Sequence, residues 1–228
     1  MNQVPLVAFL MLLMLTPPNV HASPNAGIYS PRTNMVYEAP GPVSNVSISP
    51  SFGDVETLVD DDTLTYSTIL TFIQSNYKQV SATDAALIAK VLVESGKNNS
   101  LDPKFVAAVV AKESAFNKTA ISPSNAMGLG QLKNPENFHV TDPFDIQQNS
   151  MATVAYLKQQ LGRWKDNSEK VSLALASYFQ GYTAVKNKGS KLDESAQKYV
   201  NGILSNYGKL KVLRDQLQSA SQSNFKIE

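Results

Sequence analysis

The sequence predicts a mainly α-helical domain, and three observations carry that prediction. Apolar residues recur at three- and four-residue intervals through most of the chain from Tyr66 to Tyr207, which is the period of one helix face. Residues that start or stop helices punctuate this pattern, notably Ser81, Gly96, Asp102-Pro103, Gly181 and Asp193. Hydrophobic residues make up 43% of the 228 positions and charged residues 17%, enough apolar side chain for a packed core. At most a small β element is expected, between residues 117 and 142.

Composition also removes several function classes. The formal net charge is +1, which argues against a nucleic-acid partner bound through bulk basic charge. The chain has no cysteine, so disulfides, thiolate metal sites, a cysteine nucleophile and a lipidated cysteine are excluded. Its two histidines, His21 and His139, lie far apart. No metal or cofactor is expected.

Residues 1–22 read as a secretory signal peptide. Val4 to Leu15 is apolar apart from Pro5, and Val20-His21-Ala22 offers small residues for cleavage after Ala22. The run is short for a bilayer span, which needs about 20 apolar residues. A periplasmic or secreted protein with no stable membrane anchor after cleavage is expected. Residues 23–61 read as a flexible linker. Five prolines are spread through it, and Arg32 is set against Glu38, Asp54, Glu56, Asp60 and Asp61. It holds too little apolar side chain to offset the entropy of ordering.

The folded domain is expected over residues 62–210. Tyr66, Ile69, Leu70, Ile73 and Tyr77 mark a first helix. Ser81 with Asp84 resembles a capping arrangement for a helix over 85–95, with Gly96 as its stop. Asp102 and Pro103 open the next helix, to about Ser114. Ile146 to Leu161 is expected to be helical through Met151, Val154, Ala155 and Leu161. Asp166 and Glu169 can cap a helix carrying Val171, Ala174, Leu175 and Tyr178, ended by Gly181. Asp193 starts a helix lined by Ala196, Tyr199, Val200, Ile203 and Tyr207, with Gly208 as its end. Residues 211–228 form a C-terminal tail, with Leu213 and Leu217 as its helical apolar residues.

The stretch from Ala111 to Gln131, AKESAFNKTAISPSNAMGLGQ, draws the functional reading. On a wheel of ~100° per residue, with Phe105 at ~0°, Val109 falls at ~40° and Val110 at ~140°. Glu113 falls at ~80°, inside that apolar arc. A carboxyl drawn into apolar surroundings resists ionisation, as a general acid near neutral pH requires. Position alone leaves a second reading open, a buried glutamate paired with an arginine or a backbone amide.

The motif goes further. Glu113-Ser114, Phe116, Ala120, Ser122, Ala126 and Gly128-Leu129-x-Gln131 stand at spacings that resemble the lytic transglycosylase family, in its soluble-type catalytic domain. Downstream, Asp145 to Asn149 followed by Ala155-Tyr156-Leu157 is similar to the family's D-x-x-x-N helix with a Y-L pair. Leu173 to Gly181 resembles its alanine-rich helix, and Tyr199-Val200 its late Y-V. Three departures stand out: Gly130 replaces the usual Met, Asn125 replaces a Gly, and Phe179-Gln180 replaces Asn-Ala. The loss of Met is expected to remove an apolar wall of the groove.

The resemblance implies a lysozyme-like helical domain that takes peptidoglycan glycan strands in a groove. It implies that Glu113 protonates the β-1,4 bond between N-acetylmuramic acid (MurNAc) and N-acetylglucosamine (GlcNAc). Glu113 then takes a proton from the sugar's 6-hydroxyl and closes a 1,6-anhydro ring. By position, Ser122 and Gln131 would bind acetamido groups and sugar hydroxyls. Tyr178 and Tyr199 would orient Glu113 or stack on sugars, and core packing remains an equal reading for both. Ser122 could instead cap a local turn, and Asp142 and Asp145 are helix caps or, in a hydrolase, second acids. Trp164, Tyr182 and Lys133 are weaker substrate contacts. Two rival functions stay open: hydrolysis of the same bond, as in goose-type lysozymes, and a catalytically lapsed wall-binding module. The small size suits an enzyme that opens the wall locally for a secretion, conjugation or phage apparatus.

Overall fold

A computed structural model of the chain describes residues 61–224. The expected signal peptide at 1–22 lies outside the described residues. So does the expected linker at 23–61, apart from Asp61. Seven α-helices follow in order among the described residues: α1 (Asp61–Asn76), α2 (Ala82–Asn98), α3 (Pro103–Ser114), α4 (Ile146–Arg163), α5 (Lys170–Gln180), α6 (Tyr182–Asn187) and α7 (Glu194–Asn224). The mainly α expectation is met. Among the described residues the β content is two isolated antiparallel bridges, Ile121 to Met127 and Met127 to Leu132, within the interval expected.

Helix α3 is the centre of the domain. Phe105 through Ala111 are all buried, and a helix apolar on every side must be surrounded. Helices α1, α2 and α7 surround it, while α4 packs on α2 and α5, and α5 reaches α7. The start of α3 follows from its sequence. The Asp102 carboxylate accepts from the Lys104 amide at 2.9 Å, and Pro103 takes the first helical position. Tyr207 of α7 donates to the other oxygen of Asp102 at 2.7 Å. Its ring lies edge-on to Phe105, 5.6 Å away. One aspartate thus caps the central helix and ties the last helix to it. Burial alone would raise the Asp102 carboxyl, but the bonds from Tyr207 and Lys104 outweigh it and hold it low.

Four sequence expectations are corrected. Gly96 does not stop α2, which runs to Asn98. A Cβ on Gly96 would stand 3.0 Å from the Leu101 carbonyl and 3.1 Å from the Pro103 ring, so the glycine serves the close approach of α3. On α4, Met151 and Ala155 face solvent, and the buried stripe includes Asn149, Ser150, Thr153 and Gln160. An apolar count cannot register a buried polar face. Asp166 does not cap α5; the Asn167 side chain takes the Glu169 amide at 2.8 Å. Gly208 does not end the last helix, and α7 continues through it to Asn224. A glycine inside a helix costs only about 1 kcal/mol, and the flanking Tyr207 bond and fully buried Leu210 hold the helix across it.

Candidate active site

Glu113 sits in the last turn of α3, where the wheel puts it among apolar residues. Its carboxyl is half-buried in a groove of about 990 Å³. Burial pushes its pKa up to about 7, against the opposing pull of a hydrogen bond from Tyr199 and the charge of Lys112. The free carbonyls at a helix C-terminus also disfavour a carboxylate there. Tyr199 of α7 donates its hydroxyl to Glu113 Oε1. Burial and the nearby Glu113 charge raise the Tyr199 phenol well above its ordinary value, so it stays protonated as a donor.

The chain leaves α3 by an abrupt reversal. Ala115 and Phe116 both adopt left-handed backbone, at φ 53° and 59°. Each such residue costs roughly 1–2 kcal/mol. Two anchors hold the reversal. The Phe116 ring is 1% exposed and lies edge-on to Tyr77 at 4.9 Å and Phe72 at 6.4 Å. Gln79 donates to the Ala115 carbonyl at 3.1 Å. Burying such a ring is worth about 1.5–3 kcal/mol, enough to offset much of the backbone cost.

The loop that follows forms one wall of the groove. Ser122 accepts from the Ala126 amide at 3.0 Å and lies 3.1 Å from the Ser124 hydroxyl, so it caps a local turn while lining the groove. Asn125 adopts φ 59°, which asparagine tolerates better than most residues. Gly128 has φ 74°, and a Cβ there would fall 2.2 Å from the Pro143 carbonyl. Gln131 donates from Nε2 to the Ala120 and Gly128 carbonyls, at 3.1 and 3.0 Å. Its Oε1 makes no bond among the described residues, and the side chain lines the groove.

Gly130 is not at the groove wall. It is buried, and a Cβ on it would lie 1.8 Å from Thr153 Oγ1. Its amide donates to Asn149 Oδ1 at 2.8 Å, and its carbonyl accepts from the Tyr178 hydroxyl at 2.7 Å. The absent Met side chain is therefore a matter of contact between the loop and α4.

Asn149 ties the loop down, and sequence reasoning gave it no role. Besides holding Gly130, its Nδ2 donates to the carbonyls of Met127 at 3.1 Å and Pro143 at 2.8 Å. A fully satisfied buried amide of this kind fixes backbone firmly. The available clue was the Asp145-to-Asn149 spacing. Asp145 caps α4 by accepting from Gln148 at 2.7 Å, and Asp142 accepts from the Phe144 amide at 2.9 Å. Neither lines the groove.

Of the four expected substrate-binding residues, Ser122, Gln131 and Tyr178 line the groove with Glu113. Tyr199 reaches Glu113 directly. Tyr178 is nearly buried and tilts against Tyr156, with centroids 4.7 Å apart. Burial and the Glu113 charge raise its phenol well above the usual value. Tyr156 and Phe179 also line the groove. The Phe179 ring stacks on Tyr199 at 4.6 Å and 9°, which no helical spacing announces. Trp164 is a core residue, donating to Ser177 Oγ at 2.9 Å. Tyr182 and Lys133 do reach the groove.

The transglycosylase SLT domain matches residues 90–201, from within α2 to within α7. Residues 90–201, just under half of the chain, are thus similar to transglycosylase SLT domains. The chain is 32% identical over 131 residues to membrane-bound lytic murein transglycosylase F of Desulfosudis oleivorans, covering 55% of this chain and 28% of that protein. It is 35% identical over 114 residues to the transglycosylase of Enterobacteria phage PRD1, covering 48% of this chain and 41% of the relative. The chain thus spans less than half the length of either curated relative. A solved structure of an inactive mutant of lytic transglycosylase Slt from Pseudomonas aeruginosa is 21% identical, with a TM-score of 0.47, and covers 71% of this chain and 31% of that one. No helix among the described residues is long and apolar enough to cross a membrane.

Proposed function

We propose that this transglycosylase-family domain is a peptidoglycan lytic transglycosylase that cleaves the MurNAc-β-1,4-GlcNAc bond with Glu113 as its catalytic carboxyl. The observation that carries this reading is the Glu113 carboxyl itself, half-buried in the groove, raised to about 7 and held by the Tyr199 hydroxyl. Near neutral pH such a group exists in both forms. It can give a proton and later accept one.

Protonated Glu113 delivers its proton to the bridging oxygen, and the C1–O bond breaks. The 2-acetamido oxygen stabilises the positive charge that develops at C1. Glu113, now ionised, takes the proton of the 6-hydroxyl. O6 then bonds to C1, which closes the 1,6-anhydro ring and leaves Glu113 protonated for the next cycle. No water is consumed, and one carboxyl serves both steps. Hydrolysis ordinarily employs a pair of carboxyls, whereas among the described residues that line the groove Glu113 is the only carboxylate.

In this reading Gln131 Oε1 accepts from an acetamido N–H, and Ser122 binds a hydroxyl or acetamido group at the rim. Tyr199 orients Glu113, and Tyr178 fixes the Gly130 carbonyl and, with Tyr156, supplies an aromatic surface for a sugar face. The setting is the cell wall, outside the cytoplasm. The phage source of one relative supports a role in opening the wall locally for an assembling or entering apparatus.

Mass spectrometry of muropeptides released from purified sacculi tests the reading. Wild-type protein is expected to yield 1,6-anhydro ends and Glu113→Gln none. Reducing ends in place of anhydro ends would make the domain a lysozyme-like hydrolase. Equal, negligible release by both proteins with retained binding would make it a wall-binding module.

A further inference from the structure

The chain carries Phe179-Gln180 where the family resemblance has Asn-Ala, and both residues act on α7. Phe179 stacks on Tyr199. Gln180 is the last residue of α5, and its side chain reaches across to the start of α7. Its Nε2 donates to both carboxylate oxygens of Asp193, at 3.0 Å each, and to Ser195 Oγ at 2.9 Å. Its Oε1 accepts from Lys188 Nζ at 3.3 Å, and the same ammonium donates to Asp193 Oδ2 at 2.5 Å. The Ser195 hydroxyl and the Ala196 amide donate to Asp193 Oδ1, at 2.7 and 2.9 Å. The end of α5, the residue that follows α6 and the first turn of α7 thus meet on one carboxylate.

A single exposed ion pair would hold little. Here four groups donate to Asp193, and they join residues 13 positions apart. The bonds from Lys188, Ala196, Ser195 and Gln180 keep its carboxyl well below the ordinary carboxylate range, so the clasp stays charged while Glu113 titrates. Phe179 lies immediately before it. The ring is 43% exposed and meets Tyr199 by one flat face, so core packing does not fix it. Helix ends fray. Just past Gln180 the chain turns at Gly181, with φ 87° and open space where a Cβ would stand, so the turn itself does little to brace the helix end. An alanine at position 180 would make none of the clasp bonds.

We propose that Gln180 is a positioning residue: by clasping the end of α5 to Asp193 it holds the Phe179 ring flat over Tyr199, as a shield that keeps water from the Tyr199–Glu113 pair. Phe179 and Gln180 then work as one device, a ring and the anchor that keeps it seated. The proposal rests on Glu113 being the working carboxyl, and it concerns what shelters that carboxyl rather than the reaction it performs. Glu113 is faced by Tyr199 of α7, Tyr178 of α5, Tyr156 of α4 and, on its own helix, Lys112. None of these belongs to the clasp, and the route from Gln180 to Glu113 runs through Phe179 and Tyr199.

The experiment follows the titration of Glu113 by carbon NMR in protein labelled at its glutamate carboxyls, with Glu113→Gln to assign the signal, so the result does not depend on turnover. Gln180→Ala frees the ring and readmits water. Burial is the main cause of the raised Glu113 pKa, so the midpoint is expected to fall from about 7 by about half a unit. In a Phe179→Asn background Gln180→Ala is expected to add no further shift, because the ring it holds is gone. Gln180→Lys combined with Lys188→Gln exchanges two donors around Asp193 and is expected to restore the wild-type midpoint. In the active protein the acid limb of kcat/KM on muropeptide oligomers moves with the NMR midpoint. An unchanged midpoint in Gln180→Ala, even with a lower melting temperature, makes the clasp a brace alone and overturns the proposal. A shift that persists in full beside Phe179→Asn overturns it too. If wild-type protein releases no anhydro ends, the catalytic reading falls, while the titration still decides the role of Gln180.

Discussion

Tyr199 and Glu113 are 86 positions apart in sequence, yet the hydroxyl of the first donates to the carboxyl of the second. The bond crosses from α7 to α3, so the reactivity of Glu113 depends on how the last helix packs against the central one. Burial pushes the carboxyl up and the tyrosine pulls it back. Tyr199→Phe removes the pull and keeps the ring. The pKa of Glu113 is then expected to rise, by roughly one unit for a charge-assisted bond of about 1.5 kcal/mol. In kcat/KM profiles on soluble muropeptide oligomers, the limb that reports loss of the acid form moves to higher pH. A limb that stays in place, or moves down, contradicts this account of the pair.

Phe179 acts on the same pair from the solvent side. Its ring stacks flat on Tyr199 and is itself 43% exposed, so it shields the phenol and the carboxyl behind it from water. The family resemblance has Asn at this position. Phe179→Asn is expected to readmit water and lower the Glu113 pKa, since burial is the main cause of its elevation. The acid limb then moves below its wild-type position near pH 7, opposite in direction to the effect of Tyr199→Phe. Parallel shifts in the two variants would refute the shielding role.

The sequence made the helices legible because their starts are chemical statements. Asp102-Pro103 and the Ser81 cap with Asp84 appear as expected, the Ser81 hydroxyl accepting from the Asp84 amide at 3.0 Å. Glu113 stood out as a candidate for the same reason: a carboxylate inside an apolar arc breaks the pattern. The loop was not. Asn149 is a polar residue on a buried face, and its three carbonyl and amide partners come from 6 to 22 positions away in the chain. Such bonds leave no period to count. Gly130 was misjudged for a related reason. A glycine in sequence shows that a side chain is absent, but not which neighbour occupies its place.

That neighbour is Thr153, and the contact is testable. Restoring the family's side chain with Gly130→Met drives a Cβ into Thr153 Oγ1, 1.8 Å from its ideal position. Overpacking of this kind typically costs about 1–3 kcal/mol, and here it also displaces the carbonyl that accepts from Tyr178. The variant is expected to melt several degrees lower. Gly130→Met combined with Thr153→Gly clears the nearest atoms and is expected to recover part of the loss relative to the two single changes. Additive losses in chemical denaturation would show that the two positions do not collide.

The reversal after α3 carries backbone strain that a single atom change can relieve. Ala115→Gly keeps φ 53° accessible without a Cβ, and a gain of up to about 1 kcal/mol is expected. Phe116→Ala leaves its own left-handed backbone in place but removes the ring that anchors it. A loss of about 3–5 kcal/mol is expected from the cavity, with release of Glu113 from its fixed position. Urea denaturation midpoints of the two variants should therefore fall on opposite sides of wild type.

The raised pKa of Glu113 also has a thermodynamic consequence for the whole domain. The carboxyl ordinarily titrates near 4.5 and is pushed to about 7 here. Between those values the folded protein holds a proton that the unfolded chain has released. Stability contributed by this group is thus greatest below the lower value and is lost as pH rises through the higher one. Above pH 7 the folded state must bury a charge, at a cost on the order of 1–3 kcal/mol. Glu113→Gln is expected to abolish catalysis and to remove that cost. Its melting temperature is expected to exceed wild type at pH 8, with the gap narrowing steadily toward pH 5. A gap independent of pH would mean that the glutamine acts through packing alone, and that the carboxyl is not raised by its surroundings.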